Sequence, residues 1–545
     1  MAFLQDPPQL DHPYRSDRLL LDLLDRHLPT ERREALDADL DALGHYALKA
    51  WQRERASTPK KPLFTAWDAW GRRIDRIELT PAWQEGAWLT TRHALLAAGH
   101  EAHVHARLEQ FARVYLYHVA SAFYTCPLAM TDGAATALKA SGNAALGERA
   151  LPHFLSRDPE TFWLSGQWMT ETAGGSDVGR TETIARRDAD GQWRLYGRKW
   201  FSSAVVGEAA LALARPEGAG PGSRALALFY VETTEHGRRR PEILIDRLKD
   251  KLGTHELPTA EIHLDGLPTW PVGELAHGVR QIAPVLNITR LWNAVCALAS
   301  MSRAVALARD YAARRQAFGR PLIEQPLHVE TLAGLVAEME AAFALVFALP
   351  RLLGRVEQGL ATPHEAALLR LLTPLAKLWT GKLAVAVCSE ALECFGGAGY
   401  IEDTGLPQLL RDAQVYPIWE GTTNVLALDV LRVLEADGIE PLRQAIAAWL
   451  TNAAPAAAQV VQGALDAATC WLEGHGATRE RREAGARGFA FTLARSAAAA
   501  LLADQAAWAK SRGDLRPGAA LRIFLTHGLD RLTTLDAADT RLLTA

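Results

Sequence analysis

The apolar residues of this 545-residue chain change their spacing twice, near residue 160 and again near residue 279. Before the first change, stretches such as Ser16–Trp51 and Ala94–Tyr117 repeat their apolar positions at helical spacing. Between the changes, short apolar runs such as Ala209–Ala214 and Ala260–Leu264 alternate with Gly, Pro and charged turns, which is typical of β-strands. Helical spacing returns at Val279. The sequence therefore predicts a mainly α protein with a middle β domain.

Long helices are predicted for the second half of the chain. Their expected bounds are Val279–Gln316, Val329–Gln358, Pro363–Glu393, Thr423–Leu434, Gln444–Glu473, Arg479–Ser511 and Pro517–Thr526. The first four suggest a helical bundle, and the dipeptide Asp437-Gly438 separates them from an alanine-rich tail. A chain of this length suggests three or four domains of ~100–200 residues each.

We predict four domains. They are an N-terminal extension and helical domain at 1–158, a β domain at 159–275, a C-terminal helical bundle at 276–436 and an extra helical tail domain at 437–545.

Composition narrows the function classes. The formal net charge of −4 gives no global reason to bind nucleic acid or an anionic membrane. The 5 cysteines form no CxxC pair, which argues against a metal site or a disulfide framework and suits a reducing cytoplasm. The N-terminus lacks a signal-peptide pattern, and no uncharged apolar run reaches the ~20 residues needed to cross a bilayer. We predict a cytoplasmic protein with no metal and no membrane partner.

The segment Ile418–Asn424 places a carboxylate in apolar surroundings and follows it with small residues. Apolar surroundings disfavour the charged form of Glu420, so its pKa is expected to rise and it becomes a usable proton acceptor near neutrality. Gly421 and the hydroxyls after it let the backbone approach a ligand closely. A structural alternative is a buried Glu paired with an Arg.

Three other stretches complete a recognisable set. They are Met169–Val178 followed by Lys199–Ser203, Tyr311–Gly319 with Gln325 beyond it, and Glu393–Tyr400. In this order and spacing, these stretches and Ile418–Asn424 resemble the acyl-CoA dehydrogenase superfamily over roughly residues 80–435. The resemblance implies an N-terminal helical domain, a middle β-barrel-like domain and a C-terminal four-helix bundle, with the tail as an extra helical domain.

A closer resemblance is carried by Trp70–Glu78 with Pro81-Ala82-Trp83, by Arg247–Gly253 and by the extension past residue 435. These features look like the bacterial alkylation-response branch of the superfamily, which is similar to isovaleryl-CoA dehydrogenases in its flavin site. Members of this branch are associated with binding double-stranded DNA.

The resemblance implies FAD as the cofactor and Glu420 as the catalytic base. Glu420 would take the α-proton of an acyl-CoA while the β-hydride passes to the flavin N5, since no amino-acid side chain accepts a hydride. The expected cofactor-binding residues are Met169, Thr170, Ser176, Phe201, Ser203, Arg315, Phe318, Gln325, Glu393, Gly397, Thr422 and Asn424. In a related subgroup the base precedes a characteristic Arg, but here Thr289 stands before Arg290 and cannot serve.

Several of these residues match specific roles. Thr170 and Ser176 match hydroxyls directed at the flavin ring edge and the pyrophosphate, and Phe201 stands where many members carry a Trp. An aromatic residue in a β domain is also often a core residue. Arg315, Phe318 and Gln325 match residues that reach the FAD of a neighbouring subunit, which implies a homotetramer built as a dimer of dimers.

The segment associated with substrate recognition, which follows Lys251-Leu252-Gly253, departs from the family pattern. Lys251-Leu252-Gly253 is normally followed by an Arg and a small-residue turn, but here Thr254–Pro258 follows. Substrate recognition is therefore expected to differ more than flavin binding. The expected partners are an acyl-CoA or a related small molecule and an electron-transfer flavoprotein.

An alternative function is a flavin-carrying protein that binds DNA and protects it from alkylation, with only residual dehydrogenase activity. Residues 441–545 hold 12 Arg and Lys against 9 Asp and Glu, and Arg479, Arg481, Arg482 and Arg487 lie together. Glu480 and Glu483 interrupt this cluster, so a solvated helix surface is the favoured interpretation over a phosphate-binding face. A third alternative keeps the fold but changes the reaction, as in nitroalkane oxidases or flavin monooxygenases of the superfamily. The nitroalkane enzymes use Asp where this chain has Glu420.

Overall fold

The computed structural model describes residues 6–56, 61–475, 478–533 and 535–545. The chain forms two compact units, each described here by itself. The N-terminal unit comprises His12–Ala102 and Ala106–Trp292, and the C-terminal unit comprises Met1–Asp11, His103–His105 and Asn293–Ala545. The four predicted domain boundaries stay a prediction.

The N-terminal unit begins with helices and one β-hairpin. These elements are α1 (Arg18–His27), α2 (Thr30–Ala56), β1 (Leu63–Trp67), β2 (Arg73–Glu78), α3 (Pro81–Gln84), α4 (Gly86–Arg92), α5 (Ala106–His118), α6 (Thr125–Ser141) and α7 (Ala144–Phe154). The helix expected over Ser16–Trp51 is divided, because Pro29 disfavours a helical conformation at Leu28, which adopts an extended one. Of the stretch Ala94–Tyr117, only α5 is α-helical.

The middle of the chain forms the predicted β domain. Its strands are β3 (Ser165–Trp168), β4 (Ile184–Arg187), β5 (Trp193–Ser203), β6 (Ala209–Pro216), β7 (Ala227–Glu232), β8 (Thr234–Glu235), β9 (Arg238–Arg239), β10 (Ile243–Leu248) and β11 (Thr259–Pro271). Seven of them form one sheet in the order β10-β11-β5-β4-β6-β3, and β7 pairs with both β11 and β6. This double pairing closes a ring of β11, β5, β4, β6 and β7, so the barrel-like prediction is confirmed.

Strand β6 is buried on both faces, which explains its continuous apolar sequence. Ala210 and Ala212 belong to the apolar cluster that also contains residues of β5, β10 and β11. Leu211 and Leu213 point to the opposite face, in a cluster with residues of α6 and α7. The outer face of the barrel at β6 thus packs against α6 and α7.

A charged network lies in the helical core of this unit. Asp132 is fully buried and accepts hydrogen bonds from Arg107 Nη1 at 2.8 Å, Trp292 Nε1 at 2.8 Å and Gln110 Nε2 at 2.9 Å. His100 Nε2 lies 2.8 Å from the same carboxylate. Burial alone would raise the pKa of Asp132, but Arg107 and His100 outweigh it and hold the pKa well below its usual range. The network therefore needs an ionised aspartate.

We expect Asp132→Asn to lower the free energy of unfolding by about 3–5 kcal/mol, because it leaves Arg107 as a buried cation without its anion. The folded pKa of Asp132 is depressed, so its contribution is present above the unfolded value of ~3.9 and is lost as the pH falls through the folded value. Urea unfolding measures the loss. Asp250→Asn, which removes an exposed ion pair with Lys61, is the control and should have little effect; equal losses in the two variants would contradict the expectation.

The C-terminal unit is almost entirely helical. Its elements are the remainder of α8 (Gly278–Arg314), β12 (Gln316–Ala317), β13 (Arg320–Pro321), α9 (Pro326–Glu357), α10 (Pro363–Glu393), α11 (Leu406–Ala413), α12 (Thr423–Asp437), α13 (Glu440–Trp449), α14 (Pro455–Cys470), α15 (Arg479–Ser511), α16 (Arg516–Thr526) and α17 (Ala537–Thr544). The predicted bounds of α10 and α15 are confirmed. A capping box between Thr362 and Glu365 fixes the start of α10.

The single helix predicted over Gln444–Glu473 is wrong. The chain instead forms α13 and α14, separated by a turn that ends at Pro455. Proline occupies the first helical position of α14, where its missing N–H is not needed, and it cannot stand inside a continuous helix without breaking it.

The tail helices pack on the bundle through ion pairs as well as apolar contacts. Arg495 of α15 contacts Glu338 of α9 at 2.9 Å, and Arg516 of α16 contacts Glu340 of α9 at 3.0 Å. Burial raises the pKa of Glu340, and Arg516 opposes this rise. Two partly buried ion pairs therefore join the tail helices α15 and α16 to α9.

Three bundle helices, α8, α9 and α10, are long and apolar enough to cross a membrane by length and composition. The sequence predicted no such segment. The most apolar windows of these helices are buried inside the protein to 89%, 67% and 78%, respectively. Core packing of the bundle thus accounts for most of this apolar surface.

Candidate active site

The predicted catalytic glutamate lies on a strained turn. Glu420 has a φ of 61° and Gly421 a φ of 103°, so both adopt the left-handed backbone region. A non-glycine residue in this region is uncommon and costs about 1–3 kcal/mol. Glu420 is half-buried and lies two residues before Thr422, the N-cap residue of α12.

Buried polar side chains from two bundle helices hold this turn. Asn293 of α8 is fully buried, and its Nδ2 donates to Tyr416 O at 3.2 Å and to Trp419 O at 3.4 Å. Lys377 of α10 is also fully buried and donates from Nζ to Gly421 O. The backbone is thus anchored on both sides of Glu420.

Sequence reasoning missed both anchors. The signal was available, since Asn293 and Lys377 are polar residues at apolar-face positions of long helices. A polar residue at such a position is expected to satisfy a buried backbone group. Which backbone group it reaches depends on the packing of helices that are distant in sequence.

Thr422 and Asn424 lie in the first turn of α12. Thr422 is its N-cap residue but makes no side-chain capping hydrogen bond, and both residues are exposed. Glu420, Thr422 and Asn424 thus lie within one short segment at the start of α12, and their roles stay a prediction. The other position considered for a base, Thr289, is buried, and its hydroxyl donates to Val285 O at 3.0 Å.

The Gly-rich loop of the β domain lies against strand β5. Thr170 O accepts the Trp200 N–H at 2.9 Å, which places Thr170 beside Phe201. Gly175 returns so close that an added Cβ would lie 2.8 Å from Thr170 Oγ1. Phe201 is 49% exposed, so it is not a core residue. Thr170 and Phe201 therefore form one surface.

The other cofactor-binding residues predicted in the β domain, Met169, Ser176 and Ser203, occupy different environments. Met169 is partly buried and packs against the apolar cluster under β6, whereas Ser176 is exposed. Ser203 Oγ lies 3.1 Å from Thr259 Oγ1 on the neighbouring strand β11. Met169 thus joins the Gly-rich loop to the apolar core, whereas Ser176 lies on the solvent-exposed side of the loop.

A buried ion pair that sequence reasoning did not identify anchors the loop. Lys199 Nζ donates to Glu171 Oε1 at 2.6 Å, and Thr183 Oγ1 donates to the same oxygen at 2.6 Å. Burial would raise the pKa of Glu171, but Lys199 outweighs it and the pKa is lowered. Glu171 lies in the motif Met169–Val178 and Lys199 in the motif Lys199–Ser203, but the sequence did not predict that they pair.

A second lysine, Lys249, lies close to the exposed ring of Phe201. Lys249 Nζ lies 3.6 Å from the ring centre of Trp200 and 4.4 Å from that of Phe201, and it donates to Glu261 at 2.8 Å. The unusual segment after Gly253 wraps around Lys251, whose Nζ donates to Thr254 O and Leu257 O, both at 2.7 Å. These lysines line a cavity of about 170 Å³.

The residues predicted to reach a neighbouring subunit lie on the β12–β13 hairpin and just after it. Phe318 is 97% exposed at the hairpin tip, with a φ of 50°. Gln325 Nε2 donates to Ala317 O at 2.9 Å, which ties it to the hairpin that Arg315 begins. Glu393, the last residue of α10, and Gly397, in the segment that follows this helix, are both exposed. All five predicted residues of this group are therefore at the surface or partly so.

Comparison with known protein families divides the chain into three matching regions. Residues 6–160 match the adaptive response protein AidB N-terminal domain, residues 166–267 match the acyl-CoA dehydrogenase middle domain, and residues 276–435 match the acyl-CoA dehydrogenase C-terminal domain.

Individual relatives extend these matches. The acyl-CoA dehydrogenase family member 11 of Caenorhabditis elegans is 43% identical over 79% of this chain and 72% of that protein. The putative acyl-CoA dehydrogenase AidB of Escherichia coli is 36% identical over 70% of each. The crystal structure of Caenorhabditis elegans ACDH-11 in complex with C11-CoA has a TM-score of 0.93 and 37% identity, covering 100% of this chain and 96% of that chain.

A more distant structure shows the same fold. An acyl-CoA dehydrogenase complexed with FAD from Bacillus anthracis is 17% identical, with a TM-score of 0.73, and covers 95% of this chain and 91% of that chain.

We expect Asn293→Ala to loosen the Glu420 turn without unfolding the bundle. Hydrogen exchange of the Ile418 and Trp419 amides, which both donate to Val415 O, should become about tenfold faster because the buried carbonyls lose their donor. Asn287→Ala, at an exposed position of the same helix, is the matched control. Unchanged exchange in Asn293→Ala would show that Asn293 does not hold the turn.

Proposed function

This chain belongs to the acyl-CoA dehydrogenase family, and on that premise we propose that Glu420 is the base that removes the α-proton of an acyl-CoA. The protein is an FAD-dependent acyl-CoA dehydrogenase-like oxidoreductase of the alkylation-response branch. The fixed left-handed turn at Glu420 is the observation that carries the proposal, because strain of this kind persists where the surroundings enforce it.

The residues of this chain fit FAD. Phe201 offers an exposed aromatic face, Gly175 permits close approach beside Thr170, and the uncapped start of α12 offers backbone donors to a phosphate. We assign Met169, Thr170, Ser176, Phe201, Ser203, Thr422 and Asn424 as residues that hold the cofactor. FAD, when bound, supplies the acceptor for the β-hydride, which no side chain can provide.

The remaining chemistry comes from the chain itself. The carboxylate of Glu420 accepts the α-proton, and the anchors Asn293 and Lys377 limit its position, so little reorganisation is needed. The backbone N–H of Glu420 would donate to the thioester carbonyl and stabilise the negative charge that develops there.

An acyl-CoA is the substrate class supported best. The relative solved with C11-CoA aligns with the whole of this chain, which supports binding of an acyl-CoA rather than a nitroalkane. The wrapped segment around Lys251 replaces the usual Arg-containing turn, so acyl-chain preference has to be measured.

We expect the purified protein to release FAD and to bleach when it is mixed with a series of short, branched and longer acyl-CoAs, including C11-CoA. Glu420→Gln should retain the flavin spectrum and lose about 10²–10⁴-fold in the rate of flavin bleaching, because the base is removed. Glu402→Gln, the same change in an exposed ion pair with Arg411, is the control. A wild-type bleaching rate in Glu420→Gln would exclude it as the base, and a colourless protein that cannot be reconstituted would exclude the flavin.

The exposed hairpin supports assembly with further copies. We propose a homotetramer, built as a dimer of dimers, in which Arg315, Phe318 and Gln325 reach the FAD of a neighbouring copy, with Glu393 and Gly397 meeting the same cofactor. A ring that is 97% exposed at a left-handed tip has no packing role within its own chain.

We expect Phe318→Glu to shift the protein to smaller species in analytical ultracentrifugation and to accelerate FAD release, because the charge would be buried at the contact. Leu360→Glu introduces the same charge at an exposed apolar position after α9 and is the control. An unchanged assembly with unchanged FAD retention would contradict the proposed contact.

The proposal also covers the electron acceptor and the location. An electron-transfer flavoprotein is the proposed electron acceptor, and the cytoplasm the proposed location. Double-stranded DNA is not better supported, since Arg479 pairs with Glu483, Arg495 with Glu338 and Arg516 with Glu340. These pairs neutralise part of the tail charge on which DNA binding would depend.

A further inference from the structure

A histidine from the segment before α1 faces two side chains of α2 that can bind a metal ion. His12 Nε2 lies 3.0 Å from His45 Nδ1 and 3.5 Å from Asp41 Oδ1, and His45 Nδ1 lies 3.5 Å from Asp41 Oδ2. Donor atoms held tetrahedrally by one zinc ion at ~2.0–2.1 Å are about 3.3–3.4 Å apart. The three side chains therefore have the spacing of one face of a zinc coordination shell. The cluster is open to solvent, because the His45 side chain is 59% exposed.

The geometry of α2 and a glycine bring these groups together. Asp41 and His45 are separated by one helical turn, so they lie on the same face of α2. Gly44 stands inside this helix, although glycine is unfavourable there. An added Cβ at Gly44 would lie 2.2 Å from His12 Cε1. The missing side chain at position 44 is thus what lets the His12 ring approach the helix.

Hydrogen bonding between the two rings does not satisfy every contact in the cluster. The Arg15 N–H donates to His12 Nδ1 at 3.2 Å, so the neutral His12 ring carries its proton on Nε2 and donates to His45 Nδ1. His45 Nδ1 also lies 3.0 Å from Asp41 O, and a bond there would need a proton on that same nitrogen. A cation bound by both ring nitrogens removes this conflict. It moves the His12 proton to Nδ1, and the amide of the exposed Arg15 can then bond to water.

The surrounding charges favour a cation. Arg15 donates from Nε to Asp41 Oδ1 at 2.7 Å and pairs through Nη2 with Asp37 at 2.8 Å. Arg33 contacts Asp25 and Asp37, both at 3.0 Å. Two arginines therefore stand against three aspartates, which leaves a net negative charge beside two neutral imidazoles. Arg15 also fixes the carboxylate of Asp41, as groups outside a coordination shell commonly orient the ligands within it.

We propose that His12, Asp41 and His45 bind a divalent transition-metal ion of the zinc class, with water as the fourth ligand. Two imidazoles and a carboxylate suit such an ion, and three protein ligands leave one position open. The ion would join the segment before α1 to α2. The sequence predicted no metal, because no cysteine pair was present and His12 and His45 are 33 positions apart. This site goes beyond the proposed function and does not depend on it.

The test measures metal binding by the full-length, tag-free protein. After treatment with a chelator and dialysis, the protein is titrated with Zn²⁺ against a chromophoric competing chelator, which gives the affinity and the stoichiometry. Co²⁺ is the second probe, since tetrahedral Co²⁺ absorbs visible light and its difference spectrum against the metal-free protein reports the coordination geometry. Thermal unfolding of each metal-free variant shows whether the fold is retained.

Two variants are compared with matched controls. His45→Gln removes one ligand, and its control is His364→Gln, at an exposed histidine of α10. Gly44→Ala keeps all three ligands, and its control is Gly463→Ala, at a glycine of α14 where an added Cβ would have nothing within 4 Å.

Wild type is expected to bind one Zn²⁺ per chain at this site and to give the tetrahedral Co²⁺ spectrum. His45→Gln should weaken Zn²⁺ binding by at least ~10- to 100-fold, the loss that follows removal of groups that only orient a ligand. Gly44→Ala should weaken it as well, because the new methyl group takes the place of the His12 ring. Both variants should lose the Co²⁺ spectrum, and both controls should match wild type.

The proposal is overturned if wild type binds less than one ion per chain. It is also overturned if His45→Gln binds Zn²⁺ as tightly as His364→Gln, or if Gly44→Ala does so as tightly as Gly463→Ala. Loss of binding that accompanies unfolding of the metal-free chain in both variants would count against it equally. Flavin content and flavin bleaching do not enter these outcomes, so failure here leaves the proposed function unaffected.

Discussion

The turn at Glu420 depends on polar groups buried in an otherwise apolar bundle. A left-handed glutamate followed by a left-handed glycine is unfavourable in isolation, and the helices must hold it in place. Asn293 and Lys377 do so by donating to the carbonyls of Tyr416, Trp419 and Gly421. Because both donors are fully buried, moving the turn would break hydrogen bonds that water cannot readily replace. The position of the carboxylate is thus coupled to the integrity of the bundle core.

The same principle appears in the N-terminal unit, where buried charges fix segments that apolar packing would leave adjustable. Lys199 anchors the Gly-rich loop through Glu171, and Arg107 anchors α6 through Asp132. A buried ion pair adds little net stability compared with apolar residues, but removing one partner is costly. Such pairs therefore determine where the loop lies more than how stable the domain is. The surface formed by Thr170 and Phe201 results from this anchoring.

The tail shows that a charge count from sequence does not reveal which charges are used in packing. The sequence favoured a solvated helix surface for its basic residues over a nucleic-acid face, and the structure shows that Arg495 and Arg516 instead form ion pairs that join α15 and α16 to α9. Arg487 lies instead beside Asn424 at the start of α12. The tail therefore contacts the start of α12, the helix that follows the turn of Glu420.

Local patterns were enough to determine the α–β–α order and the bounds of α10 and α15. These features depend on residues close in sequence, such as the capping box at Thr362 or the short spacing within one turn. Only the tertiary structure decided which partners Asn293, Lys377, Lys199 and Arg487 have. Each of them meets a group from a distant segment, and helical spacing carries no information about which distant carbonyl, carboxylate or amide will lie opposite a buried or surface cation.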